Sequence, residues 1–297
     1  LEHLEPAGVH SGDSTAVIPP FTIHKEILEE IKEKSIRLAL GLKVKGLLNI
    51  QFAIKNNDLY ILEANPRASR TMPFVAKVTG NQIIKAGTLL MLGYSIEDVK
   101  NQTNYLNGTT NKVAIKKAIF PWSRFPAEDT MLGPEMKATG EVLGIGREFG
   151  TALNKAYSAA GVEINNKEKG IFVTLSDDKK SNFLDTIKKY IELEFTVYST
   201  QGTGEFLKSK GIDSIIVGKA NDTGQTSLSI IDEKLVSLVI NTPTYANELT
   251  DGWKIRRLSH ETGIAVVSSV READAFIEAF LKRNSVLEDM DAIQNVS

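Results

Sequence analysis

Apolar and polar positions alternate most regularly between Leu47 and Arg70, LLNIQFAIKNNDLYILEANPRASR. Leu48, Ile50, Phe52 and Ile54 take every second place, which predicts a strand. Asn56-Asn57-Asp58 is a turn signal, because these side chains tolerate left-handed backbone and bond their own main chain. A second strand is predicted from Leu59 to Arg67. Tyr60, Leu62 and Ala64 take one face, and Glu63, Asn65 and Arg67 take the other with Leu59 and Ile61. A one-residue slip would move the charges to the opposite face. A three-residue turn pairing Lys55 with Leu59 avoids that slip. It sets Gln51 opposite Glu63 and Asn49 opposite Asn65.

Around this hairpin the pattern is mixed. Ser14 to Ile18 reads as a short strand. Ile23 to Leu42 repeats apolar residues at helical spacing, ending between Gly41 and Gly46. A short helix is predicted from Met72-Pro73-Phe74, with Pro favourable near its start. Asn81 to Leu92 is a further helix, and Ser95 caps a turn through Asp98. Val113 to Phe120 alternates Val, Ile and Ala with Lys. Met131 to Glu141 is punctuated by Gly and Pro and reads as a loop. Phe149 to Ala160 is an Ala-rich helix. Gly161 to Lys169 is polar and separates periodic segments, so a domain boundary is placed near Lys167, dividing 1–166 from 167–297.

Beyond it the order becomes strand, helix, strand. Strands are predicted at Gly170–Leu175, Phe195–Ser199, Ser214–Val217, Leu235–Ile240 and Ile264–Val267. Helices are predicted at Asp178–Tyr190, Gly204–Lys210, Trp253–Glu261 and Ala273–Phe280. Such alternation implies a parallel sheet covered on both faces, with ligands at the carboxyl ends of strands.

Composition removes several classes. The 297 residues suffice for two domains with real cores, and 42% hydrophobic with 24% charged content is ordinary for a globular chain. A net charge of −2 gives no case for nucleic acid as partner. No run of 18 apolar residues suggests a membrane span, and no signal-peptide pattern opens the chain. With no Cys, disulfides, thiolate metal sites and a Cys nucleophile are excluded, which fits a cytoplasmic protein. His24 and His260 read as surface or helix residues, because no second ligand lies at metal spacing.

The chemistry concentrates in two places. Gln51, Glu63 and Asn65 offer hard oxygen donors suited to Mg²⁺ shared with phosphate oxygens. Arg67 and Arg70 can clamp a phosphate. A polar hairpin face can equally be simply wet. At the strand ends of the second half, Thr200-Gln201-Gly202-Thr203 opens a helix and Asn241-Thr242-Pro243-Thr244 follows a strand. Hydroxyls and helix N-terminal amides there suit an anion, or the hydroxyls merely cap helices.

ILEANPRASRTMPFVAKVTG closely resembles the metal-binding segment of ATP-grasp enzymes, and in particular the carbamoyl phosphate synthetase large-subunit family. LGPEM followed by TGE matches a second signature of that family, with no physical role evident. EHLEPAGVHSGDS looks like its nucleotide-binding segment, apart from Pro6, where an acidic residue is expected. TQGT before a helix and INT after a strand resemble its terminal methylglyoxal synthase-like domain.

The resemblance implies a fold class: the C-terminal portion of an ATP-grasp half, an antiparallel sheet with helices, followed by a parallel-sheet, Rossmann-type domain. The cofactors implied are ATP and Mg²⁺ (or Mn²⁺). Gln51, Glu63 and Asn65 would hold the metal. Gly8, Val9, His10 and Ser11, with Gln51 and Glu63, would contact ATP, with Glu2 and His3 nearby. Arg67 and Arg70 would act on the transferred phosphoryl group. Lys180, Thr200, Thr203, Lys219, Asn241 and Thr242 would contact a nucleotide effector, UMP or IMP. Lys180 is preferred to Lys179 by aligning Phe183 and Leu184 with core positions, and Thr244 would replace a contact displaced by Pro243. The implied partners are the remainder of the large subunit and a glutaminase small subunit. The implied activity is phosphorylation of carbamate to carbamoyl phosphate, for pyrimidine and arginine biosynthesis. The phosphate-cradling subdomain that precedes this segment in ATP-grasp enzymes is not seen, so a fragment inactive alone is expected. One alternative is a regulatory module without catalysis. Another, an active methylglyoxal synthase, is disfavoured, because TGQTSL stands where a GGDQQ-type catalytic segment would be.

Overall fold

A computed structural model describes residues 1–105, 111–162, 164, 169–242 and 250–283. It divides into two compact units. Among the described residues, one holds Leu1–Glu2 with Val17–Ala114, the other His3–Ala16 with those from Ile115 to Arg283.

The chain opens with the short strands β1 (Glu2–His3) and β2 (Ala16–Ile18). Helix α1 spans Lys25–Gly41 and leads to the hairpin β3 (Asn49–Lys55) and β4 (Asp58–Asn65). Three short helices follow: α2 (Met72–Thr79), α3 (Ile83–Met91) and α4 (Ile96–Gln102). Pro73 lies in the first turn of α2, and Ser95 with Asp98 forms a capping box on α4. Helix α1 ends at Gly41, but no glycine takes the left-handed position after it. Lys43 takes the left-handed position (φ 52°), and Val44 and Lys43 donate back to Ala39 and Leu40.

The hairpin departs from the expected register at its turn. Lys55 pairs with Asp58, not Leu59, so the turn has two residues. Asn56 and Asn57 both have positive φ, 53° and 68°, the twist that two-residue hairpins prefer. That register alone would set Gln51 against Leu62. An irregularity between Gln51 and Phe52 leaves Leu62 as the extra residue and restores Gln51 opposite Glu63 and Asn49 opposite Asn65. The tight turn and the polar face are both kept, at the cost of one bulge.

Strands β5 (Val113–Ile119) and β6 (Gly140–Gly146) complete a sheet of order β1-β2-β5-β6. Strand β6 begins within the stretch expected to be a loop; its three glycines disguised it. Helix α5 (Phe149–Ala159) lies so close to β6 that a Cβ on Gly144 would sit 2.1 Å from the Ala152 carbonyl oxygen. The boundary expected near Lys167 lies outside the described residues.

The parallel sheet has order β11-β10-β7-β8-β9. Its elements are β7 (Gly170–Leu175), α6 (Leu184–Glu192), β8 (Thr196–Ser199), α7 (Gln201–Ser209), β9 (Ile215–Ile216), α8 (Ser227–Asp232), β10 (Leu238–Thr242), α9 (Asp251–Glu261), β11 (Ala265–Val267) and α10 (Val270–Leu281). All five expected strands and four helices exist. Helix α8 was not foreseen: it is a six-residue helix opened by a Thr226–Ser229 capping box. Residues 180–183, expected to be α-helical, form a 3-10 turn before α6. Central β7 is apolar almost throughout, as a strand covered on both faces must be. One side buries Phe172, Val217, Ile230, Ile231, Val239 and Ile255. On α6 and α10, Tyr190 and Phe280 flank Phe195 at ring-centre distances of 5.1 and 4.6 Å. Helix α5 joins this packing: Asn154 donates to the Ala279 carbonyl of α10 at 3.1 Å. That contact explains why residues 115–162 group with the parallel sheet.

Candidate functional site

The first unit carries one set of the expected residues, and the second carries two. In the first unit, register places Asn49, Gln51, Glu63 and Asn65 on one face of the hairpin. Glu63 is exposed, and Gln51 and Asn65 are half-buried. Among the described residues, the side chains of Gln51, Glu63 and Asn65 make no hydrogen bond or ion pair, so their oxygens are available. One carboxylate and two amides are too little charge for a closed cation site. They suit Mg²⁺ that brings its remaining ligands as phosphate oxygens. Arg67 and Arg70 are exposed just past β4, and Arg67 Nη1 reaches the Ala68 carbonyl at 3.0 Å. Glu2 is buried, with its carboxylate accepting from the backbone of Phe21 and Thr22, which gives it a structural task.

In the second unit, Gly8 to Ser14 forms a loop whose shape is heavily constrained. Val9 N–H donates to the Pro6 carbonyl, closing a turn that Pro6 begins. His10 Nδ1 accepts from Gly12 N–H at 3.0 Å. Lys116 is 1% exposed and donates to the carbonyls of Ser11 and Gly12, both at 3.2 Å. Asp13 is buried and accepts from the backbone N–H groups of Lys137 and Ala138. Space opens at Gly8, where a Cβ would meet nothing within 4 Å. The loop is therefore rigid on its inner side, with its Gly8 end free to approach a ligand.

Behind this loop lies a group of half-buried charges. Glu5 accepts from Thr15 N–H and Oγ1 at 2.6 and 2.7 Å. Lys117 Nζ lies 4.5 Å from the Tyr157 ring centre and 3.5 Å from Thr15 Oγ1. Burial, then repulsion from Glu272, pushes the Glu5 carboxyl up to about 7. Burial also raises Glu272 and lowers Lys117.

The third set lies along the carboxyl edge of the parallel sheet, where the strand order reverses between β10, β7 and β8. Thr242 at the end of β10 accepts from Ser176 N–H at 2.9 Å, just past β7. Helix α7 starts at Gln201, three residues before the expected Gly204, so Thr203 lies in its first turn. Its hydroxyl accepts from Leu175 N–H at 3.1 Å and from Thr200 Oγ1 at 3.2 Å. Thr200 is the N-cap residue of α7 but makes no side-chain cap; its carbonyl takes the Thr203 and Gly204 amides, and the Gln201 and Gly202 amides are left to another acceptor. Lys180, whose side chain is 13% exposed, donates to the Gly202 carbonyl at 2.8 Å and pairs with Asp177. Lys179 instead pairs with Asp178 at the surface. Lys219 is exposed beyond β9, at the same edge. Pro243 and Thr244 lie outside the described residues.

Sequence reasoning did not single out Lys116, Asp129 or Arg256, and named Ser176 only as the residue before the helix opened by Lys179 and Lys180. Lys116 shares strand parity with Ala114 and Ala118, so alternation alone could have marked it as buried. Arg256 and Asp129 gave no local signal, since they lie 127 positions apart. Among the described residues no helix is long and apolar enough to cross a membrane.

Two family models match. The ATP binding domain of the carbamoyl-phosphate synthase L chain covers residues 2–99, and the MGS-like domain covers residues 182–268. The C-terminal section of the carbamoyl phosphate synthase large chain from Aquifex aeolicus is 39% identical over 97% of the chain and 56% of its own length. Its counterpart from Methanocaldococcus jannaschii is 39% identical over 94% of the chain and 46% of its own length. The large chain from Micrococcus luteus is 41% identical over 94% of the chain and 27% of its own length. The chain thus spans about half or less of these relatives.

Proposed function

Because the chain belongs to the carbamoyl phosphate synthase large-chain family, matching its C-terminal section, we propose that it supplies part of an ATP-dependent ligase together with a nucleotide-binding regulatory domain. The observation that carries this reading is the hairpin face, where a bulge keeps Gln51 opposite Glu63 and Asn49 opposite Asn65. Gln51, Glu63 and Asn65 would hold Mg²⁺ (or Mn²⁺), which when bound neutralises phosphate charge. Arg67 and Arg70 would bring guanidinium groups to the charge that a transferred phosphoryl group gathers. Gly8 to Ser11 would meet the nucleotide through the open Gly8 end. Phosphoryl transfer is mostly positioning and electrostatics, so this set needs no covalent nucleophile. The substrate is carbamate and the product carbamoyl phosphate, serving pyrimidine and arginine biosynthesis in the cytoplasm. The rest of the large subunit and a glutaminase subunit are the partners. Functionally we divide the chain near Lys167.

The second element of the reading is effector binding by UMP or IMP. It is supported by the uncapped start of α7 and by Lys180, Thr200, Thr203, Lys219, Asn241 and Thr242 at one sheet edge. If the chain works alone only as this module, nucleotide binding survives without catalysis. Titration calorimetry of the 297-residue chain with UMP, IMP and then MgATP tests this. Effector binding with weak MgATP binding is expected. Thr203→Ala should weaken nucleotide affinity, and unchanged affinity removes Thr203 from the site. In a complete large chain, Glu63→Gln should abolish carbamate-dependent ATP turnover; wild-type turnover would refute the catalytic assignment.

A further inference from the structure

The LGPEM stretch, which had no role in the sequence, lies between the sheet edge and the Gly8–Ser14 loop. We propose that the buried Arg256–Asp129 pair positions that loop from the carboxyl edge of the parallel sheet, and so couples occupancy of the edge to the loop. The coupling rests on the effector reading above; the positioning does not.

The connection is continuous. Asn241 is 4% exposed, and its Oδ1 accepts from Arg256 Nη1 at 2.8 Å. That leaves the Nδ2 hydrogens of Asn241 to give to an anion. Arg256 grips Asp129 with two parallel bonds, Nε to Oδ1 at 3.0 Å and Nη2 to Oδ2 at 2.5 Å. Both residues are buried, so each charge depends on the other. Asp129 in turn fixes both ends of the next segment. Its Oδ1 accepts from Met131 N–H at 3.0 Å, and its carbonyl accepts from Lys137 Nζ at 2.8 Å.

The far side of the segment holds the loop. The Gly133 carbonyl accepts from His10 N–H at 2.8 Å. The N–H groups of Lys137 and Ala138 donate to Asp13 at 2.8 and 2.9 Å. A Cβ on Gly12 would come within 2.8 Å of Met136 Sδ, so loop and segment are in contact there. A bidentate buried pair resists partial rearrangement, because bending one bond exposes an unmatched charge. An anion that draws Asn241 toward itself therefore acts on Arg256 and Asp129 together, and through residues 131–138 on His10 and Asp13. Spatial continuity is only a path; the coupling is an energy to be measured.

Hydrogen exchange followed by mass spectrometry on the 297-residue chain reads it, with calorimetry alongside. Two variants are compared with wild type: Asp129→Asn, and the double variant Asp129→Asn with Arg256→Gln, which leaves no unpaired buried charge should the single variant fail to fold. Without ligand, exchange in peptides covering 8–14 and 131–138 should rise about tenfold in the variants, while peptides of α5 and α10 keep wild-type rates. With saturating UMP or IMP, wild type should change exchange at 8–14. Asp129→Asn should bind within about threefold of wild type yet lose that change. Wild-type exchange at 8–14 in both variants without ligand overturns the positioning role. Nucleotide binding that leaves 8–14 unaltered in wild type overturns the coupling. Absence of nucleotide binding to wild type sinks the effector reading and the coupling with it, while the ligand-free comparison still decides positioning.

Discussion

Replacing Glu5 with Gln should remove a specific pH dependence of stability. An ordinary glutamate titrates near 4.5, whereas Glu5 is pushed up to about 7 by burial and by Glu272, against Lys117 and Thr15. Between these values the unfolded chain loses its proton and the folded chain keeps it. The folded state then binds more protons, so stability falls as pH rises and is lost in full above about pH 7. At about 1.36 kcal/mol for each pH unit by which the folded carboxyl is raised, and with the effect shared between Glu5 and the Glu272 that repels it, the loss is on the order of 1–3 kcal/mol.

The facing groups are Lys117 on β5, Glu272 on α10 and Tyr157 on α5. Two histidines work in the opposite sense. Burial depresses His3 and His260 to about 4, so they cost stability as pH falls below the ordinary 6.5. Their contribution is common to both proteins and cancels in the difference. Urea unfolding of wild type and Glu5→Gln between about pH 4.5 and 8 measures it. Gln keeps a Thr15 acceptor and gains a donor to Thr15 Oγ1, so the fold is preserved. The stability of wild type minus that of the variant should fall by on the order of 1–3 kcal/mol across the range, with Gln the more stable residue at the alkaline end. A difference constant to within about 0.5 kcal/mol would refute the buried-carboxylate reasoning.

Gly144→Ala should destabilise by about 1–3 kcal/mol in thermal or urea unfolding, because its Cβ would sit 2.1 Å from the Ala152 carbonyl oxygen and 2.6 Å from Ala156 N. Unchanged stability would mean that β6 and α5 are not in close contact. Lys43→Gly should stabilise by about 1 kcal/mol, since Lys43 pays a left-handed penalty that Gly avoids. A lower melting temperature would mean that the Lys43 side chain makes contacts worth more than the strain.

Periodicity and short signals determined much of this protein. The alternation through Leu48 to Ile54, the turn at Asn56-Asn57 and the strand–helix order after Gly170 are local properties, and each element formed about where its pattern lay. The polar selection Gln51, Glu63 and Asn65 was likewise legible, because two strands joined by a short turn admit few registers. How that register is reached was decided in three dimensions: turn twist fixed Lys55 against Asp58, and one bulge at Leu62 reconciled it with the polar face. Strand β6 was hidden by glycines whose purpose is an approach by α5, a contact between elements that local patterns do not encode. The role of the LGPEM stretch was hidden for the same reason. Its anchors, Asp129 with Arg256 and Gly133 with His10, join residues over a hundred positions apart, and only the folded chain brings such charges and carbonyls within hydrogen-bond reach.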